Sequence, residues 1–415
     1  MTVLVGPIRM PREGVVLRDG VGNPGIGGTE FVVAQSAFRL ARTRDDVRLV
    51  TAGPGPDTGH GLTTTHVVDL ATFAPHPGDV VILPAASAIE IGPEQLRGCR
   101  VIITAHHPHD RKLVEVVTRH RPALVLSTGS YTYRSNDWIR VPHAYHRDPV
   151  VPGRSARPIT RRASDAGAAP VVGHISSLHR VKGFGHVAAA WPDIVRDVPG
   201  ATLDVVGGIS LYGLEEAHPV LPTTLEFGDR LLSLLAPDTV RASVRFHGVT
   251  TSGIDEIISG WRLAILNPTG ATEADPASVK DCFRNGVPVL GGYDFGMVDY
   301  LRGLPELQLS RPGDIARQAV SLLRSPGLLE DLSGRVAARW AEIVEQDAAL
   351  TERFIRIVAA FEEGDDRELR RLMSTVRAVP LGAKIRLSIA RRRLHERRRR
   401  RRGPHRGMRG LPQAA

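Results

Sequence analysis

Two acidic side chains flank the start of a predicted helix in the segment from Leu266 to Gly292. The pattern indicates a buried strand, a loop that carries Glu273, and a helix from about Pro276 that carries Asp281. Asp275 and Pro276 suit the N-cap and the first position of that helix. Because backbone amides and the helix dipole attract anions there, both carboxylates could face a ligand that bears a phosphate. Two solvated acids on an ordinary strand-loop-helix are the alternative interpretation.

Glycine and histidine residues stand at predicted strand ends nearer the amino terminus. Gly27 and Gly28 precede a helix with apolar residues at helical spacing, where a glycine loop lets the backbone approach an anion or a sugar. The spacing differs from the dinucleotide-binding motif, so a plain turn is equally compatible. His106, His107 and His109 follow a later apolar strand. Without an acidic or cysteine partner nearby, they favour contact with a sugar or phosphate over metal binding, and solvated loop histidines remain the alternative.

One lysine also stands at a predicted strand end, after the first strand of a second α/β stretch. Lys182 precedes Gly183 at a predicted helix start, where a tight turn can place its ammonium group against a phosphate. A lone lysine at a helix start is usually a solvated charge. Because Glu273 and Asp281 follow later in the same stretch, contact with a ligand is the interpretation we favour.

Short apolar runs alternate with helix-sized segments along two stretches of the 415-residue chain. Val- and Ile-rich runs of this length predict parallel strands that are buried on both faces of a sheet. The sequence therefore predicts an α/β protein with two Rossmann-like domains that face a central cleft. The runs lie at 3–5, 47–50, 80–83, 101–103, 124–126 and 139–141, and then at 170–175, 201–206, 243–246, 263–266 and 287–290.

Composition indicates where these domains begin and end. The first is expected at 1–150 and the second at 170–340, and residues 151–169, rich in Pro, Gly, Ser and Arg, are typical of a linker. Apolar residues at helical spacing predict C-terminal helices, of which residues 341–366 pack across both domains. A basic tail, amphipathic or disordered, is expected at 367–415.

Charge is distributed unevenly along the chain. The net charge is +10, but residues 367–415 hold 17 Lys and Arg against 2 acids, which leaves 37 against 42 in residues 1–366. A mildly acidic body indicates no specific nucleic-acid partner. In the tail, Leu381, Ile385 and Ile389 share one helical face, so residues 381–402 suit an anionic membrane surface. A disordered basic tail is the alternative.

The sequence indicates a cytoplasmic protein that is peripheral on the inner membrane face through this tail. It shows no signal peptide and no run of about 18 apolar residues, the length that spans a bilayer. Its two cysteines, Cys99 and Cys282, suit a reducing compartment.

Four segments, in this order over about residues 1–360, resemble the retaining glycosyltransferases of family 4, which have the GT-B fold. GIGGTE resembles the family's amino-terminal glycine loop, and TAHH resembles the strand end that carries a histidine near the transferred sugar. SSLHRVKGF resembles a Gly-Arg-Leu-x-x-x-Lys-Gly segment. NPTGATEADPASVKDCFRNGVPVLGG resembles the signature of two glutamates that is followed by a Gly-x-Pro-Val turn.

The resemblance implies transfer of a sugar from a nucleoside diphosphate sugar with retention, without metal or other cofactor, to a lipid-linked, polysaccharide or other cell-surface acceptor. By position, Lys182 would hold the diphosphate, Glu273 would meet the donor sugar, and Asp281 would bind the ribose. His106 or His107 would lie beside the sugar, so both join Glu273 as predicted catalytic residues. The predicted donor-binding set also includes Gly27, Gly28, Ser177, Arg180, Asp275 and Ala277.

Several positions depart from the family pattern. Ser177 stands where the family has an arginine, and Arg180 is the candidate to replace that charge. Asp281 is one methylene shorter than the family's second glutamate. Pro276 has no N–H to offer a phosphate, and Asp275 adds negative charge beside it. A GT-B-like protein that binds a nucleotide or glycan without catalysis is therefore the alternative function, and an epimerase of the same fold fits less well.

Overall fold

The computed structural model describes residues 1–11, 13–59, 61–106, 111–151, 169–209, 218–236, 238–250, 253–271 and 273–375, together with residues 386, 387, 389 and 390 of the tail. Two compact units are present, Met1–Ala378 and Val379–Ala415. Most of the predicted linker and almost all of the tail segment 381–402 lie outside the described residues. The first unit contains two sheets, and we call the part built on each sheet a half.

The first half is built on a sheet of seven parallel strands. Alternating buried side chains from both faces of this sheet pack against helices, as the Val- and Ile-rich runs predict. Its strands are β1 (Val3–Arg9), β2 (Val47–Ala52), β3 (Thr63–Val67), β4 (Val80–Pro84), β5 (Arg100–Ala105), β6 (Leu124–Thr128) and β7 (His143–His146), in the order β3-β2-β1-β4-β5-β6-β7. Its helices are α1 (Gly28–Ala41), α2 (Ala85–Ala88), α3 (Arg111–His120) and α4 (Ser130–Ser135).

The second half repeats this arrangement with six parallel strands. They are β8 (Val171–Ile175), β9 (Thr202–Val206), β10 (Val244–Gly248), β11 (Leu263–Ile265), β12 (Val289–Gly292) and β13 (Gln308–Leu309), in the order β10-β9-β8-β11-β12-β13. The helices are α5 (Phe184–Asp197), α6 (Leu225–Leu234), α7 (Asp238–Ala242), α8 (Ile254–Ser259), α9 (Ala277–Arg284), α10 (Val298–Leu301) and α11 (Ile315–Leu323). Two Rossmann-like α/β halves are thus confirmed.

The structure corrects the strand prediction at three places. The run at 139–141 is not a strand, because Ile139 packs into a core from a loop and the last strand of this sheet is β7. Strand β3 was not predicted, because its sequence TTTHV is largely exposed at the sheet edge and contains no apolar run. Strand β13 has two residues, too few for any periodic pattern.

A single long helix, α12 (Pro326–Glu363), runs from one half to the other. Its first part places Leu332, Trp340 and Ile343 in the core of the second half, and its last part places Phe354 and Ile357 in the core of the first. Helix α13 (Asp366–Thr375) packs against α12. No helix among the described residues is both long enough and apolar enough to cross a membrane.

The two halves also contact each other directly through the start of α4. The backbone N–H of Ser130 donates a hydrogen bond to the carboxylate of Asp299 at 2.8 Å, and the ring of Tyr131 stacks on that of Phe295 at 4.7 Å. Gly129 packs so closely that an added Cβ would lie 2.2 Å from the carbonyl oxygen of Ala274. This contact leaves no room for a side chain at Gly129.

We expect Gly129→Ala to destabilise the protein more than a matched glycine substitution does. Gly303 has a similar positive φ of +81°, against +76° for Gly129, but has open space around its Cβ position. Both alanine variants therefore carry the backbone strain, and only Gly129→Ala adds the collision. The extra loss should be about 1–3 kcal/mol in denaturant unfolding. Equal losses in the two variants would contradict the tight contact between the halves.

Candidate functional site

A cleft between the two halves collects residues that follow the carboxyl ends of strands in both sheets. It encloses about 420 Å³. The strand order reverses at β1 and β4 in one sheet and at β8 and β11 in the other, and ligands of open α/β sheets bind at such points. The lining includes Gly28, Glu30, His106 and Asp148 from the first half, and Ser177, Lys182, Glu273, Asp275, Ala277 and Asp281 from the second.

Lys182 and Glu273 form an ion pair inside this cleft, with 2.6 Å between Nζ and Oε1. Lys182 ends a short 3₁₀ turn, and Gly183 then turns the chain into α5 at a φ of +85°. An added Cβ at Gly183 would lie 2.8 Å from Cδ of Pro268, so glycine permits the close approach of the two loops. Both charged side chains are partly exposed, so this ion pair contributes little free energy. Lys182 can therefore exchange Glu273 for a bound phosphate with little loss of free energy.

The N-terminus of α9 opens into the same cleft through Ala277 and Ser278. The first amides of a helix have no acceptor within the helix and favour an anion. The predicted helix start is wrong by one position, because Pro276 is the N-cap, Ala277 is the first helical residue, and no side chain caps the helix. The carboxylate of Asp275 does not cap α9 because it pairs with Lys280.

A buried hydroxyl stands near this helix terminus in the cleft wall. Ser177 follows β8, and its Oγ has no hydrogen-bond partner among the described residues. A buried polar atom without a partner costs free energy, so a ligand that bonds to it is favoured. Ser177 therefore offers a donor, although it carries no charge.

Asp281 lies one turn farther along α9, in the same wall. Burial raises the pKa of its carboxyl, and the nearby guanidinium of Arg284 opposes that rise. The distance from Asp281 Oδ1 to Nη2 of Arg284 is 3.2 Å, and the same nitrogen donates a hydrogen bond to Oδ1 of Asp255 at 2.6 Å. Because four residues of helix rise about 6 Å, Asp281 can contact a part of the ligand other than the group at the helix terminus.

His106 lines the cleft from the opposite wall, after β5. Its Nδ1 lies 3.5 Å from the carboxylate of Asp148, and its Nε2 is buried without a hydrogen-bond partner among the described residues. Burial lowers the pKa of His106, but the carboxylates of Asp148, Glu30 and Asp275 outweigh burial and raise it overall. Burial also raises the pKa of Glu30.

The chain spans 55% and 58% of the length of two solved structures that it matches and nearly the whole length of three others. A structure of Anabaena HepE in complex with UDP-glucose has a TM-score of 0.59 at 15% identity, over 82% of this chain and 99% of that one. An E. coli structure described as trehalose-6-phosphate bound with UDP-2-fluoro glucose has a TM-score of 0.59 at 8% identity, over 86% and 99%. The chain has the GT-B fold.

A third structure with this GT-B architecture, α,α-trehalose 6-phosphate synthase from Burkholderia multivorans, has a TM-score of 0.55 at 11% identity, over 89% of this chain and 98% of that one. The sequence matches no protein-family model and no curated protein sequence. The predicted fold is confirmed, and the finer resemblance to family 4 stays a prediction.

Within the GT-B cleft, most of the predicted site residues come together. Gly27 is the N-cap of α1, beside the lining residue Gly28. Arg180 is exposed and lines a separate cavity beside the start of α6, so the structure does not place its charge next to Ser177. His107 lies outside the described residues. The predicted residues that line the cleft are His106, Gly28, Ser177, Lys182, Glu273, Asp275, Ala277 and Asp281.

Sequence reasoning missed Glu30 and Asp148 in the cleft and the buried Lys280, and the first two had a usable signal. Glu30 directly follows the glycines at the start of α1, and Asp148 follows the end of β7. Acids at these places could have been selected, because the carboxyl ends of parallel strands meet at one edge. Lys280 had no signal, because it lies inside α9 and its charge is paired by a contact that only the fold creates.

Proposed function

We propose that the protein transfers a sugar, with retention and without a metal, from a nucleoside diphosphate sugar to a lipid-linked, polysaccharide or other cell-surface glycan acceptor. The observation that carries this proposal is the Lys182–Glu273 ion pair beside the open N-terminus of α9, in the cleft of a GT-B fold. Negative charge grows on the departing diphosphate, and a cation with helix amides stabilises that charge.

Each side chain then has a role in the transfer. Lys182 leaves Glu273 to hold the diphosphate, and Glu273 contacts the donor sugar. The carboxylate of Asp281 accepts hydrogen bonds from the ribose hydroxyls, and His106 lies beside the donor sugar. The bond from the anomeric carbon to the phosphate oxygen breaks, the acceptor oxygen bonds to that carbon on the same face, and the leaving phosphate takes the acceptor's proton.

Uridine is the base to test first, because two of the similar structures hold UDP sugars. Calorimetric titration should show binding of UDP in preference to the other nucleoside diphosphates, and a UDP-release assay with a panel of UDP sugars and glycan acceptors should show turnover. Absence of both binding and release across all bases would overturn the proposal.

Ser177 favours a second candidate, a protein that binds a nucleotide sugar without transferring it. The position carries a buried hydroxyl where the resemblance implies an arginine, so one fixed positive charge is missing from the phosphate site. The variant Ser177→Arg discriminates the two functions. A binding protein that lacks only this charge should gain UDP release when the guanidinium is added, whereas a transferase already releases UDP as the parent chain.

The basic segment 381–402 supports a peripheral position on the inner membrane face, as part of the same proposal. Deleting residues 381–415 should abolish sedimentation with vesicles that contain anionic lipid, because interleaved apolar and basic residues bind such surfaces. Vesicles of neutral lipid are the control. Equal sedimentation of the full chain and the truncated chain would remove the membrane from the proposal.

A further inference from the structure

His106 has one ring nitrogen facing a carboxylate and one without a partner. Asp148 Oδ1 and Thr128 Oγ1 each lie 3.5 Å from Nδ1, and Thr128 donates a hydrogen bond to that carboxylate oxygen at 3.3 Å. Nε2 is buried and has no hydrogen-bond partner among the described residues. A carboxylate opposite Nδ1 favours the ring form with a proton on that nitrogen. Nε2 is then the nitrogen that is left to meet a ligand.

Almost no space remains behind this ring. The void there measures about 10 Å³ and is bordered by His106, His146 and Asp148. One water molecule needs at least about that volume. On this side there is room for at most one water molecule, and both side chains are largely buried although they also line the cleft, so the carboxylate acts on the imidazole more strongly than it does in water.

Asp148 is itself fixed by the opposite half of the protein. Its backbone N–H donates to the carboxylate of Asp275 at 2.9 Å, and its carbonyl oxygen accepts from Nζ of Lys280 at 3.3 Å. Asp275 and Lys280 pair with each other at 2.9 Å and are both buried. The main chain of Asp148 is thus anchored to the start of α9, on the side of the cleft that carries Glu273.

We propose that Asp148 is a positioning residue for sugar transfer, which holds the His106 ring in one tautomer and one orientation while its own main chain is fixed by Asp275 and Lys280. The inference rests on the proposed function. Asp148 thereby links the two walls of the cleft. The start of α9 carries the phosphate-facing amides and also fixes the main chain of Asp148, whose carboxylate orients His106.

The first test measures the His106 ring itself and needs no turnover. Long-range proton–nitrogen NMR spectra of the full chain report the tautomer and the pKa, and the signal missing from His106→Gln identifies the residue. The titratable groups that face the ring are Asp148, Glu30, Asp275 and His146, and burial lowers the pKa of His146 to about 4. Asp148→Asn removes one of the carboxylates that oppose the effect of burial, so the pKa of His106 should fall by at least about 1. An unchanged pKa and tautomer would overturn the proposal.

The second test asks whether Asp148 acts through His106. Asp148→Asn keeps the backbone contacts to Asp275 and Lys280, so its unfolding midpoint should stay close to that of the parent chain. Its kcat should fall roughly 10- to 100-fold, as when the orienting partner of a functional histidine is removed, with little change in the donor KM. In the His106→Ala background the same substitution should have less than a twofold effect.

If the losses of kcat from the two single substitutions multiply in the double variant, Asp148 does not act through His106 and the proposed role is overturned. If the parent chain turns over no nucleotide sugar, the proposed function fails, while the NMR result still decides whether Asp148 orients the ring.

Discussion

Replacing Lys182 by alanine is expected to lower the rate of sugar transfer by about 100- to 1,000-fold, the loss found when one charge-stabilising donor is removed from an active site. Lys182 is a cation that lines the cleft beside the N-terminus of α9, and Ser177 stands where the resemblance to family 4 implies an arginine. Among the described residues that line the cleft, Lys182 is the only lysine or arginine, so little there can compensate for its loss. The variant also leaves Glu273 without its ion-pair partner.

The measurements are UDP release and UDP affinity in Lys182→Ala, with Arg230→Ala as the matched control. Arg230 is an exposed cation of the same half that lines the separate cavity, outside the cleft. We expect its substitution to change both quantities by less than twofold. If Lys182→Ala turns over at the parent rate, the diphosphate does not bind at Lys182 and the site assignment is wrong.

A second large effect is expected on stability, from the buried ion pair of Asp275 and Lys280. In Asp275→Ala the buried ammonium group of Lys280 would lose its carboxylate partner and keep a hydrogen bond to the carbonyl oxygen of Asp148. Tyr300 would lose the carboxylate to which its hydroxyl donates, and burial keeps that hydroxyl protonated by raising its pKa. Breaking a buried pair on one side costs about 3–5 kcal/mol. Denaturant unfolding should show that loss.

Two further variants separate the pair from a general effect of charge removal. Asp193→Asn breaks an exposed pair with Arg196 and should cost no more than about 1 kcal/mol. The double variant Asp275→Leu with Lys280→Met leaves no buried charge unpaired and should recover part of the lost stability. A loss in Asp275→Ala no larger than that in Asp193→Asn would contradict the buried pair.

Most of the sheet architecture could be predicted, because buried parallel strands carry a local signal. Val80, Val81, Ile82 and Leu83 are all buried, and their apolar run marks β4 without any knowledge of the neighbouring strands. Strand β3 lacks this signal, because one face of an edge strand is open to solvent and polar residues are tolerated there.

At the site, the sequence identified residues whose neighbours along the chain suggest a ligand. Lys182 and Glu273 each stand beside a glycine turn or a helix start, and the fold brings the two side chains together across 91 positions. The role of Asp275 could not be predicted in the same way. In sequence it looks like a helix cap with a free negative charge, whereas its partner Asp148 lies 127 positions away. Only the packing of the two halves shows that this charge is neutralised.

Helix α12 is a continuous mechanical link between the two halves of the protein. It has 38 residues, about 57 Å of continuous helix, and its two ends are embedded in different cores. Between Ile343 and Leu350 the helix has fewer apolar contacts: Val344 packs at the edge of the core of the second half, and Asp347 accepts hydrogen bonds from Arg39 and from the N–H of Val150. Because the two ends pack in different cores, a change of the angle between the halves would have to bend this span, and the bent helix would store elastic energy.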